Sequence, residues 1–137
     1  MVRIVLGVIV GFLVWSVLWV GSDQVLMMIW PEWYGAHQLA FERAMTNKEP
    51  FAPDLTILMM HLVRSVIVSL ISGFIAAVTA AESRRTTLIL GVLLLLVGLA
   101  VEIMAWNYLP IWYHFLFLFL IVPMTIAGGK LRSANSA

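Results

Sequence analysis

The stretch TLILGVLLLLVGLAVEIMAW, residues 87–106, decides how this chain is read, because a single charged residue, Glu102, interrupts an otherwise apolar run. At about 1.5 Å of rise per residue, such a run crosses the roughly 30 Å hydrocarbon core of a bilayer as one helix. A carboxylate inside it is costly unless it has a partner or a task. Arg64, the only basic residue within any long apolar segment, is the expected partner.

Working outward, the rest of the chain has the same character. Of 137 residues, 63% are hydrophobic and 11% charged, with a mean hydropathy of +1.03. Soluble domains are nearer half apolar and a quarter charged. The expected class is therefore an all-α integral membrane four-helix bundle, with spans at about 4–22, 55–81, 86–107 and 110–127 and an outer loop at 23–54. Strict alternation, the mark of a membrane β-barrel, is absent. The first span is too long for a secretory h-region, and Trp15 and Trp19 make a poor approach to a cleavage site, so it reads as retained.

Charge sets the expected orientation. Arg3, Arg84, Arg85, Lys130 and Arg132 fall on one side of alternating spans, whereas Arg43 and Lys48 sit on the other among Glu32, Glu42, Glu49 and Asp54. The excess of Arg and Lys puts both termini in the cytoplasm. A net charge of +1 without a basic patch leaves no case for nucleic acid, and the lack of cysteine excludes disulfides and thiolate metal sites.

Helix periodicity adds finer expectations. Gly7 and Gly11 form a GxxxG step on span one, read as packing within the bundle ahead of homodimerisation. His61, Ser65, Ser69, Gly73 and Ala77 recur every four residues on span two, a small and polar ridge that should face other helices. Gly91, Gly98 and Glu102 share one side of span three. In the outer loop, Ala36, Leu39, Ala40, Ala44 and Met45 fall at helical spacing after Trp30, Trp33 and Tyr34, which suggests a short interfacial helix over Gly35 to Asn47. Asp54 is placed to cap span two. Gly128 and Gly129 are expected to stop the last helix before Lys130. The pair Pro31-Glu-Trp-Tyr and Pro110-Ile-Trp-Tyr reads as two aromatic-belt anchors ahead of an internal duplication.

Depth brings the ionisable residues together. Asp23, His61, Arg64, Glu102 and His114 are all expected in the outer part of the bundle, as a structural or ligand-binding polar cluster. Three uses are open: charge neutralisation between Arg64 and Glu102, a polar pocket for a small ligand or ion, and haem held by His61 and His114. No Ser-His-Asp order, HExxH run or phosphate loop points to an enzyme. Without such a motif, no cofactor is expected beyond the haem alternative. The expectation is a non-enzymatic accessory or interaction subunit, the alternative a small-ligand or ion binder or transporter. Its surroundings would be the bilayer, with a membrane-protein partner or a second copy.

The segments RRTTLILGVLLLLVG, LPIWYHFLFLFLIVP and GGKLR, with the opening GVIVGFLVW and Asp23, resemble small four-helix proteins of the bacterial inner membrane. That likeness implies the four-helix fold and an inner-membrane location. It carries over no functional residue.

Overall fold

The structure, a computed structural model, describes residues 1–136. Among them are five α-helices: α1 (Val2–Ile29), α2 (Ala36–Asn47), α3 (Leu55–Ala80), α4 (Arg84–Met104) and α5 (Ile111–Ser136), with one π-helical turn at Pro31–Gly35 joining α1 to α2. Four of these, all but α2, are long and apolar enough to cross a membrane, the build of a multi-pass membrane protein. Valine, isoleucine, leucine and methionine remain exposed along their outer faces. A bilayer solvates such faces, so they need no protein cover.

Helix α3 packs chiefly on α1 and α5, and α4 chiefly on α5, which makes a ring in the order α1, α3, α5, α4. Small residues set the closest contacts. Gly7 and Gly11 are both buried, and a methyl group on Gly7 would stand 2.6 Å from the Ala76 carbonyl oxygen. The GxxxG step is therefore spent inside the bundle, on α3 and the start of α4. The ridge on α3 is buried along its whole length, from His61 through Ser65, Ser69 and Gly73 to Ala77. Trp15 donates its indole N–H to Ser69 Oγ across the α1–α3 seam at 3.3 Å.

Asp54 caps α3 as expected, accepting from the Ile57 amide at 3.3 Å. It also accepts from the Trp33 indole at 3.1 Å, and that bond, with the cap, holds its carboxyl below the usual carboxylate range. At the other end of α3, Ala81 takes a left-handed conformation with φ of 54°, which turns the chain toward α4. Glu82 then accepts from the amides of Arg85 and Thr86, both at 2.9 Å, and so ties off the start of α4.

Three expectations need correction. The first helix does not stop with the expected span near residue 22: α1 runs on to Ile29, about 42 Å at about 1.5 Å per residue, because nothing breaks it before Pro31 and Asp23 finds partners. Helix α4 ends at Met104, and a turn over residues 105–110 replaces its expected last residues. Gly128 and Gly129 do not stop the last helix, which continues through Pro123 and both glycines to Ser136. Glycine there serves proximity. A methyl group on Gly128 would be driven into the Leu70 carbonyl, and one on Gly73 into the Thr125 carbonyl, so α3 and α5 touch backbone to backbone.

Candidate functional site

The polar residues gather at one end of the bundle, where α1 and α4 finish and α3 and α5 begin, but they form two sets. The expected Arg64–Glu102 pair does not form. Arg64 donates through Nε to Ser22 Oγ at 3.0 Å, through one terminal nitrogen to the Tyr34 hydroxyl at 2.9 Å, and through the other to the Trp19 carbonyl at 2.6 Å. Its guanidinium lies 4.2 Å from the centre of the Trp19 ring, a cation–π contact. The acid that balances it is Asp23, at 3.7 Å.

That direct separation is long, and the Tyr34 hydroxyl bridges it. Tyr34 is wholly buried, donates to Asp23 Oδ1 at 2.5 Å and accepts from Arg64. Burial, and then the bond to Asp23, push its hydroxyl well above the ordinary phenol range, so it stays protonated. Gln38 donates to the same Asp23 oxygen at 3.0 Å. The Asp54 amide donates to His37 Nε2 at 3.1 Å, which leaves the proton on Nδ1, facing Gln38 Oε1 at 3.1 Å. A chain of directed bonds therefore runs from Asp54 through His37, Gln38 and Asp23 to Tyr34 and Arg64. It fastens α2 across the end of the bundle.

Glu102 and His114 make the second set. Glu102 Oε2 meets His114 Nδ1, and both side chains are almost fully buried. The other ring nitrogen, Nε2, lies 3.2 Å from the Trp106 carbonyl, and the ring stacks on the Trp106 indole with centroids 4.5 Å apart. A carbonyl only accepts, so Nε2 carries a proton. One further proton is shared between Nδ1 and the carboxyl group, and the pair is neutral wherever that proton resides. The neutralising partner of the buried acid is thus a histidine twelve residues along the chain.

Between the sets lies a cavity of about 290 Å³. Trp15 and Trp19 of α1, Leu58 and His61 of α3, and Tyr113 and Phe117 of α5 form much of its wall. Gly98 and Glu102 line it from α4, and α2 roofs it with His37, Gln38 and Phe41. Asp23 reaches its edge. Of the five residues expected to cluster, Asp23, His61 and Glu102 line the cavity; Arg64 and His114 stand behind them as their partners.

His61 faces the cavity with a defined polarity. Arg64 stands 2.9 Å from His61 Nδ1, and a guanidinium only donates, so Nδ1 accepts and the proton sits on Nε2. Both nitrogens of His114 are already bonded, which leaves none to ligate iron; the His61–His114 haem arrangement does not fit. Among the described residues no group of three His, Cys, Asp or Glu is arranged to hold a metal ion.

The sequence reading missed Tyr34, His37, Gln38 and Phe41 as site residues, although the signal was there. They fall at helical spacing along residues 34–41, on the face that Ala44 and Met45 continue and away from exposed Ala36, Leu39 and Ala40. No family model matches this chain, and neither the curated proteins nor the solved structures yield a match.

Proposed function

We propose that this is a non-enzymatic membrane protein that binds a small amphipathic molecule in the cavity at the α2 end of the bundle. One observation carries the reading: a mostly aromatic and aliphatic chamber of about 290 Å³ into which a buried carboxyl group and a buried histidine both face. Sites for small molecules combine apolar walls with a few placed polar groups in this way. Native mass spectrometry of protein released from its own membranes should find one such molecule per chain. Val97→Phe, which places a ring in the cavity, should lose it while melting like the parent. Bare protein from both preparations would overturn the proposal.

The location and orientation belong to the same proposal: a bacterial inner membrane, both termini cytoplasmic, and α2 at the outer interface. The bias of Arg and Lys supports it. The chain has no cysteine, so single cysteines at exposed Asn47 and exposed Arg85 give a clean test in intact cells. Asn47→Cys should react with an impermeant thiol reagent and Arg85→Cys should not. The reverse pattern would invert the topology.

A further inference from the structure

The polarity of the cavity narrows what it can hold. Glu102 is 3% exposed, and only its Oε2 is bonded. Among the described residues the one fully enclosed side-chain polar atom without a partner is Ser65 Oγ, so Glu102 Oε1 is not sealed in protein; it faces the cavity that the residue lines. Its role does not depend on where the shared proton lies. As a carboxylate, Oε1 accepts; as the carbonyl oxygen of an acid whose O–H points at His114, it also accepts. His61, by contrast, offers an N–H. The chamber therefore presents a standing acceptor on α4 and a standing donor on α3, between the rings of Trp19, Tyr113 and Phe117.

Charge decides between a cation and a neutral ligand. Arg64 is matched by Asp23, and Glu102 shares its proton with His114. His37 is neutral by its bonding, and the Tyr34 hydroxyl keeps its proton. These groups are thus each either neutral or balanced within the protein. A bound cation or anion would add an uncompensated charge beside these groups and lose its own hydration. An aromatic wall suits a flat ring.

We infer that the ligand is an uncharged aromatic ring bearing a hydroxyl group, a phenol or quinol type of head, whose O–H donates to Glu102 Oε1 while an oxygen accepts from His61 Nε2. A quinone, which has only acceptors, would leave Glu102 Oε1 unpaired and is disfavoured relative to its quinol. The inference rests on the cavity being a binding site, as proposed above, and adds the chemistry of what fills it.

The test uses the full chain in lipid nanodiscs and calorimetric titration, with Val97→Phe nanodiscs subtracted to remove partition into lipid. The probes are para-ethylphenol, para-ethylanisole and benzylammonium. Para-ethylphenol should bind, and para-ethylanisole, which keeps the shape but lacks the donor, about tenfold or more weakly, because Glu102 Oε1 is then buried unpaired. Benzylammonium should not bind. Glu102→Met should lose about tenfold or more in para-ethylphenol affinity. Glu102→Gln should recover most of that, since its amide donates to His114 and still turns an oxygen to the cavity. Recovery by glutamine separates an acceptor role from a charge role. Equal binding of the phenol and the anisole would overturn the hydroxyl assignment and leave a binding cavity. Benzylammonium binding that is lost in Glu102→Gln would replace the neutral ligand by a cation. No binding of any probe, with bare protein in native mass spectrometry, would remove both proposals together. An isoprenoid quinol added to the nanodiscs that displaces para-ethylphenol would mark the bilayer as the source of the ligand; no displacement would mark a free phenol.

Discussion

Replacing Arg64 by methionine is expected to destabilise the protein by about 3 kcal/mol in detergent melting, and replacing Asp23 by asparagine in the same chain is expected to restore much of it. The arginine is the centre of a bonded set: Ser22, Tyr34, His61 and the Trp19 carbonyl all take its hydrogens, and Asp23 balances its charge. Taking away one member of a buried ion pair costs about 3–5 kcal/mol, because the survivor stays buried without compensation. The lower end applies here, since the Asp23 side chain keeps 24% of its surface exposed and water can reach it. With both charges gone, only polar bonds are lost. Combining Arg64→Met with Glu102→Gln is the informative contrast: residues without shared partners add to within about 0.3–0.5 kcal/mol. A coupling above that between Arg64 and Glu102, with none between Arg64 and Asp23, would mean that the two sets are wired differently from the structure.

The second large effect is steric. Gly73→Ala should lower stability by about 3 kcal/mol, at the upper end of the usual cost of overpacking a close-packed site. The added methyl group meets the Thr125 carbonyl, which belongs to the α5 backbone and cannot swing aside as a side chain would. Gly128→Ala meets the Leu70 carbonyl in the same crossing, so the two substitutions should be coupled: once α3 and α5 have been forced apart by the first, the second costs less. Gly21→Ala is the control. A methyl group there has open space around it, and removing a glycine from a helix interior should stabilise α1 by about 0.5–1 kcal/mol. Thermal melting of the three variants reads all of this. If Gly73→Ala melts with the parent, the close crossing is wrong, and so is the wall of the bundle below the cavity.

The small ridge of α3 was legible because a four-residue repeat is a local property. Once a helix forms, His61, Ser65, Ser69, Gly73 and Ala77 must share a face, and only a helix neighbour gains from a face without bulk. The four long helices were legible for a similar reason: length and apolarity are written along the chain, and a bilayer asks for little else. The cap at Asp54 needed nothing beyond the four residues from Asp54 to Ile57. Other features depended on neighbours that no window of sequence contains. Depth put Arg64 and Glu102 within reach of each other, but α3 packs chiefly on α1 and α5, and α1 brings Asp23 to Arg64 while α5 brings His114 to Glu102. The same logic governs Gly128 and Gly129, which read as a stop signal along the chain and act as a place where two backbones can meet. Nor could periodicity say that the face of α2 carrying His37, Gln38 and Phe41 turns inward, since a helix has two faces and which one is buried depends on what lies beneath it. Here that is a chamber whose acceptor and donor come from separate helices, α4 and α3. Local chemistry along the chain therefore determined the helices, their apolar faces and their caps. The pairing of charges and the cavity between them were decided only by the order in which the helices pack, because that order selects, among several partners at equal depth, the one within hydrogen-bonding reach.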